Sequence, residues 1–421
     1  MRVLVVGSGG REHALCWALS GSPDVDELWC APGNPGIGEL APCVPISPIN
    51  IESLVEFALA RKVELVVPGP ESALAAGLSD AMEAVGIACC GPSRAAAQLE
   101  VSKSFTKEIC AAAGVPTARW QRFDNAKLAR EYVRSVGAPL VVKADGLAGG
   151  KGVVVAQTET EALAAIDSMM QVRIFGPSGA AIVIEEYLMG EEVSLFALCD
   201  GETAIPFGVA KDHKRVGDGD IGPNTGGMGA YSPVPSFSQA QQDWAMDHII
   251  RPTLRELLSR GIAYRGILYA GLMMTPYGIK LIEYNVRFGD PECQALVLRM
   301  QSDPLQAFQA ACEGRLRDAI IEWHDHTAIA VVMAAEGYPE TPTYGGVIDG
   351  LDSVAIPGVE IFHSGTQADD KGRIHAVGGR VLTVCGVGED IAAARATAYM
   401  AVEAIDWPQG FYRRDIGWRV V

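Results

Sequence analysis

No apolar run in this sequence reaches the roughly 18–20 residues that a membrane-crossing helix needs, which excludes such a span. The opening MRVLVVGSGG reads as a strand entering a turn, not as a charged and apolar leader. No Cys-x-x-Cys pair is present. The ten cysteines are scattered, with only Cys89 and Cys90 adjacent, a pattern of reduced thiols that points to the cytoplasm. Positive charge is scarce: 34 Lys and Arg stand against 51 Asp and Glu, a formal net charge of −17. Nucleic-acid affinity comes from clustered positive charge, so a general nucleic-acid partner is excluded. A small anionic substrate would need a locally basic site inside an acidic chain. No internal repeat, no low-complexity tract and no Ser-His-Asp pattern is evident.

Two phosphate-binding fingerprints are also missing. No G-x-x-x-x-G-K-[ST] occurs, because Gly152 follows Lys151. The first glycine turn, 7–10, has Glu12 where a dinucleotide fingerprint has its third glycine, which argues against a nicotinamide cofactor. What remains is a folded α/β chain of 421 residues, 49% hydrophobic and 20% charged, long enough for two to four domains of roughly 100–200 residues.

The stretch 139–156, PLVVKADGLAGGKGVVVA, is the most informative. Two β-branched runs flank a glycine-rich turn, with Lys143 and Lys151 at its sides, which predicts a hairpin. Glycines bring backbone N–H groups close to an anion, and lysines suit phosphate oxygens, so Gly149, Gly150 and Lys143 are candidates for a phosphate-covering lid. An ordinary glycine-rich hairpin would read the same way.

The chain opens as strand (3–6), glycine turn, then helix (14–19), the start of a doubly wound sheet. Further strands at 27–30 and 63–67 end in turns. Ligands bind beyond the carboxyl ends of such strands, so Gly9, Asn34 and Glu71 are expected to converge on one ligand. Glu71 equally suits the first turn of a helix. The first unit ends near 91–93, and 94–113 reads as one helix with Lys103 and Lys107 on one face. A β-rich unit at 117–188 ends in Glu185 and Glu186, which fit either a solvated edge or an adenine and ribose site with Leu188 and Glu192. The polar stretch 211–233 reads as a long functional loop holding Asp212, Lys214, Asn224 and Thr225, with His213 structural. A helix at 243–260 precedes strands at 266–274 and 279–284. Glu283 and Asn285 alternate onto one face, an oxygen pair suited to Mg²⁺, with Arg287 beside them; a cross-strand ion-pair row is the alternative. From 327 onward, β runs and an alanine-rich helix suggest a mixed α/β cap without its own chemical cluster.

Five segments in this order resemble the glycinamide ribonucleotide synthetases, ATP-grasp ligases of purine biosynthesis: GSGGREHA (7–14), APGNPG (31–36), KADGLAGGKGV (143–153), GPNTGGMGAYSP (222–233) and RFGDPE (287–292). The resemblance covers the whole chain. It departs at Gly149, where alanine is common, at Lys211, where glutamine is frequent, and at Cys293, where threonine is usual. It implies an α/β architecture with a Rossmann-like N-terminal domain (1–102), an ATP-grasp domain (103–325, lid about 120–190) and a small mixed C-terminal domain (326–421). It implies ATP with Mg²⁺ or Mn²⁺, and glycine and 5-phosphoribosylamine as substrates of a monomer. Lys103 and Lys143 would touch phosphates, Glu185, Glu186 and Leu188 would frame adenine, Glu192 would bind ribose, and Glu283 and Asn285 would hold metal. The amine's phosphate would rest on Gly9, Gly10 and Arg11. Arg287, Asp212 and Lys143 are the residues expected to act on the reacting groups. Rival readings are another purine-pathway ATP-grasp ligase and a nucleotide-binding regulator without turnover.

Overall fold

The computed structural model describes residues 1–148 and 152–420. Its first unit is a parallel sheet ordered Glu27–Pro32, Arg2–Gly7, Leu65–Pro68, Ala88–Cys89. The unbroken apolar run at 3–6 follows from burial on both faces: Val3 and Val5 enter one core, Leu4 and Val6 another. Helix Gly10–Ser20 follows the first strand directly, so the glycine turn is also its N-terminus.

The lid is a separate antiparallel sheet ordered Trp120–Phe123, Ile182–Glu186, Leu140–Ala144, Val153–Ala156, with its own core under helices Ala126–Val136 and Glu159–Ile166. The expected hairpin is present, with Lys143 paired to Val153.

The largest sheet has nine strands. It runs from Gly278–Asn285 through Arg265–Thr275, Glu191–Asp200, Ala204–Asp212, Gly229–Ser232, Thr327–Ala335 and Arg380–Gly388 to Val359–His363, with Gly410–Phe411 attached to Thr327–Ala335. Four strands after 326 therefore extend the sheet that carries the site, while Val347–Ile348, Ile374–Ala376 and Thr366–Ala368 form a separate three-stranded sheet. Helix Ile391–Ala404 packs on its last strands.

Two expectations change. The helix at 94–113 is broken: Ser102 is extended (φ −124°), and its Oγ caps helix Lys103–Ala113 by accepting from Phe105 N at 3.2 Å. The stretch 211–233 is not one loop. It holds a ribbon, Arg215–Gly217 with Ile221–Asn224, and the sheet strand Gly229–Ser232. Its polarity comes from the ribbon facing solvent and cleft rather than from lack of structure.

All ten cysteines are free thiols. Among the described residues no helix is long and apolar enough to cross a membrane.

Candidate active site

A cleft of about 490 Å³ opens between the lid, the large sheet and the edge of the first unit. Of the expected residues, Arg11, Glu71, Lys103, Lys143, Glu185, Glu186, Leu188, Glu192, Asp212, Glu283, Asn285 and Arg287 line it. Gly149 and Gly150, with Lys151, lie outside the described residues.

Gly9, Gly10 and Asn34 do not join this lining. Gly9 N donates to Glu12 Oε2 at 2.5 Å, so the helix N-terminus already holds an internal carboxylate. A Cβ on Gly10 would crowd Gln294 Nε2 and Ser364 Oγ, so this glycine serves close packing. Asn34 Oδ1 accepts from Ile37 N at 2.9 Å as a helix cap, and its Nδ2 donates to Ser8 O at 2.9 Å and His363 O at 2.8 Å. The expected convergence of Gly9, Asn34 and Glu71 therefore fails. Of the five first-unit residues expected to meet a ligand, only Arg11 and Glu71 line the cleft, joined there by Pro70 and Glu100.

Arg11 is buried, with Nε 2.6 Å from Glu12 Oε1 and Nη1 donating to Phe288 O at 3.0 Å. Arg287 spans two acids: Nε lies 3.1 Å from Glu71 Oε2 and Nη2 2.7 Å from Glu100 Oε1. It also donates to Asn285 Oδ1 at 3.2 Å. The ion-pair alternative thus holds for Arg287, which buttresses the strand end. Burial raises the Glu71 pKa, but Arg287 and Arg11 outweigh this and the net shift is downward.

On the lid side, buried Lys143 has Nζ 3.1 Å from Glu185 Oε1, and Lys107 Nζ lies 3.1 Å from Glu185 Oε2. Glu186 meets Arg119 at 2.8 Å and Lys280 at 2.9 Å. Desolvation raises its pKa, but those cations bring it to about 2. Both carboxylates are already engaged by cations instead of standing open to an adenine amino group. Leu188 supplies an apolar wall there.

Opposite lies Glu283. Burial raises its pKa, yet Lys214, Lys143, Lys103 and Arg287 together lower it, so the carboxylate stays ionised. Strand register sets Glu283 against Gly271 and Asn285 against Tyr269, which puts both oxygens on one strand end. Among the described residues no three His, Cys, Asp or Glu side chains form a metal cluster. The pair fits a hard cation such as Mg²⁺ or Mn²⁺ that takes its other ligands from phosphate and water.

Asp212 lines the cleft from the end of strand Ala204–Asp212, with two strands between it and Gly278–Asn285. Burial pushes its pKa well up; Lys214 opposes this, while Glu292, Glu192 and Glu283 add to it. Lys214 Nζ lies 3.1 Å from Glu192 Oε2. Lys211, one residue before Asp212, turns away to pair with Glu191, so its departure from glutamine leaves the lining untouched. Cys293 is fully buried beside Arg11 O.

Sequence reasoning named Lys214 only as part of a polar stretch and missed Glu100, Tyr269, Glu292 and Arg380, which also line the cleft. Glu292 was visible in RFGDPE. Arg380 lies about 90 residues beyond that motif and carries no local signal, although it donates to the carbonyl of Asp290.

Comparison with known proteins matches three family models in order: phosphoribosylglycinamide synthetase N domain over 1–100, its ATP-grasp (A) domain over 101–293, and its C domain over 328–419. The chain belongs to the phosphoribosylglycinamide synthetase family. A phosphoribosylamine–glycine ligase of Brucella melitensis is 54% identical, covering 100% of this chain and 98% of its own. A chloroplastic member from Arabidopsis thaliana is 50% identical over 98% of this chain and 79% of its own. The solved phosphoribosylamine–glycine ligase of Thermotoga maritima superposes with a TM-score of 0.86 at 32% identity, covering 99% and 100% of the two chains. A biotin carboxylase domain from Hydrogenobacter thermophilus, solved with MgADP, shares the fold alone, at a TM-score of 0.76 and 16% identity over 98% of this chain and 91% of its own.

Proposed function

We propose that this chain joins glycine to 5-phosphoribosylamine at the expense of ATP, giving glycinamide ribonucleotide, ADP and phosphate in purine nucleotide synthesis. The observation that carries the reading is one cleft in which Lys103 and Lys143 face the ionised Glu283 with Asn285, in a chain 54% identical along its whole length to a phosphoribosylamine–glycine ligase.

A carboxylate is a poor acylating agent. Transfer of the ATP γ-phosphoryl to the glycine carboxylate gives glycyl phosphate, whose phosphate can leave. The amine nitrogen then attacks the carbonyl carbon, the new C–N bond forms, and the C–O bond to phosphate breaks. Such transfer requires alignment and charge neutralisation more than a protein nucleophile. In this reading Lys103 and Lys143 bind phosphate oxygens, Leu188 covers the adenine ring and Glu192 accepts from ribose hydroxyls. Mg²⁺ or Mn²⁺, held by Glu283 and Asn285, supplies charge neutralisation on the phosphates. Arg287 and Arg11, each held by acids of the fold, line the far end of the cleft and in this reading meet the amine's phosphate. Asp212 lines the same cleft, and in this reading its carboxylate takes the proton that the amine sheds. The lid excludes water that would hydrolyse glycyl phosphate. A monomeric working unit belongs to the same reading. The division at 102 and 325 belongs to the same reading; the family matches end at 100 and 293 and resume at 328.

ADP formation should require glycine, phosphoribosylamine and Mg²⁺ together. Rapid ATP hydrolysis indifferent to both substrates would sink the reading. Glu283→Gln keeps the shape but removes the anionic ligand, so the Mg²⁺ midpoint should rise while nucleotide binding without metal changes little. An unchanged midpoint with a lowered melting temperature would return Glu283 to the scaffold.

A further inference from the structure

The ribbon Arg215–Gly217 with Ile221–Asn224 pairs with no other strand among the described residues. A lone two-stranded hairpin is marginal in water. Its tip includes Asp220 at φ +58°, a conformation unfavourable for a residue with a side chain. Yet the base of this ribbon supplies Lys214, Asn224, Thr225 and Gly226 to the cleft. Contacts from outside the ribbon must hold it in place.

They come from the segment 412–419. The Arg413 side chain is 1% exposed, with Nη1 2.9 Å from Asp220 Oδ1. The same nitrogen donates to Arg215 O at 2.9 Å. Arg413 Nε and Nη2 form a two-point contact with Asp415 at 2.8 and 2.9 Å. Asp415 Oδ2 in turn accepts from Gly219 N at 2.7 Å, and Asp218 Oδ1 accepts from Arg414 N at 2.8 Å. Arg419 reaches Asp220 Oδ2 at 2.7 Å from the surface. The segment is itself anchored: Tyr399 OH, on helix Ile391–Ala404, donates to Arg413 O at 2.6 Å and accepts from Ile416 N at 3.1 Å. At the other end of the ribbon, Arg380 Nη1 donates to Gly226 O at 2.9 Å, and Arg380 Nη2 lies 3.3 Å from Asp290 Oδ2. The Gly226 end of the ribbon base is thus tied through Arg380 to Asp290, while Lys214 at its other end reaches Glu192 at 3.1 Å.

We propose that Arg413, Asp220 and Asp415 are positioning residues: they fix a ribbon whose Asn224–Gly226 end forms the acceptor wall of the cleft, and so set affinity for glycine and the amine more than for ATP. The assignment of the two walls rests on the function proposed above; the clamp itself does not.

The test uses the full chain with Arg413→Gln, Asp220→Asn, Arg413→Lys and Arg419→Gln. Arg419 is half exposed, so its replacement should fold even if that of buried Arg413 does not. One measurement is amide hydrogen exchange, which needs no turnover. Exchange at 214–226 should quicken in Asp220→Asn and Arg419→Gln while the lid strands keep their protection. The other is steady-state kinetics. The KM for glycine or phosphoribosylamine should rise, by about tenfold for loss of a charged contact in Asp220→Asn. The ATP KM should stay near wild type, and Arg413→Lys should restore part of the loss. Unchanged exchange at 214–226 in folded Asp220→Asn and Arg419→Gln would overturn the clamp. Faster exchange with an ATP KM that rises in step with the others would overturn its acceptor-side role. A wild type without glycine-dependent ADP formation would instead defeat the proposed reaction, and the exchange result would still decide the clamp.

Discussion

The turn at 7–11 follows one buried strand and the described residues 145–148 follow another, and in the sequence the stretches 7–11 and 146–152 both gather glycines beside basic residues. In the first, the space that glycine leaves is filled from within. A Cβ on Gly7 or Gly69 would collide with the Glu12 side chain, whose Oε2 accepts from Gly9 N and whose Oε1 meets Arg11. In the second, Gly146 and Gly152 line the cleft and Lys143 faces it from the adjoining strand. The acid next in sequence to this strand end, Asp145, is turned away: it accepts from Ser104 N and Ser104 Oγ, both at 2.8 Å, and from Arg122 at 3.2 Å. Glycine marks where something comes close. The first turn packs on its own carboxylate, whereas the second borders the open cleft, where Lys143 shares Glu185 with Lys107.

The largest effect that separates the two turns should come from Glu12→Ala. It strands the buried Arg11 guanidinium and empties the helix cap at once. Breaking a buried pair costs about 3–5 kcal/mol, so urea unfolding should show a loss of that order. The ATP KM of the protein that stays folded should change little. A stability loss under about 1 kcal/mol, coupled to altered affinity for the phosphorylated amine, would make the first turn a ligand seat after all.

This contrast also shows what the sequence could reveal. The strands at 3–6 and 140–142 were legible because burial on both faces or in a hairpin leaves an apolar run. Glu283 and Asn285 were legible because period-two alternation is local. Asn34 was not, because its partner His363 is 329 residues away. The break at Ser102 was hidden in an alanine-rich stretch that favours helix throughout, and only the cap contact shows it. Glu185 read as a ligand acid because its two lysine partners lie on other elements. Arg380 reaches the cleft only because the last strands extend the central sheet.

Lys143→Ala sharpens the comparison from the lid side. A charge-assisted contact to phosphate is worth roughly 1.5–3 kcal/mol, so kcat/KM for ATP should fall about 10- to 150-fold. Lys107 still pairs with Glu185 in the variant, so the strand should survive the loss. Wild-type ATP kinetics in Lys143→Ala would remove this lysine from the phosphate site and leave both turns structural.

The smallest effect is on pH, and it belongs to the first turn alone. His13 follows Glu12 on the same helix and is buried against the last strand of the large sheet; its Nδ1 accepts from His363 N at 2.8 Å. Burial, with the charge of His363, lowers the His13 pKa to about 3, and burial lowers that of His363 to about 4. Both rings are neutral in the fold and titrate near 6.5 when it opens. The unfolded chain therefore binds more protons below pH 6.5. The stability contributed by these rings is complete above that value and falls as pH drops toward 4. Between pH 7 and 6 the loss is roughly 0.7 kcal/mol for each histidine. Among the described residues no histidine lines the cleft, so ATP affinity should hold over the same interval. Urea midpoints at pH 7, 6 and 5 for wild type and His13→Gln check this directly. The variant should show a shallower decline. Parallel declines would mean that the joint between the first helix and the large sheet opens without proton uptake at His13. A fall in ATP affinity that tracks the fall in stability would mean the two turns are coupled, and that the first is more than a packed joint.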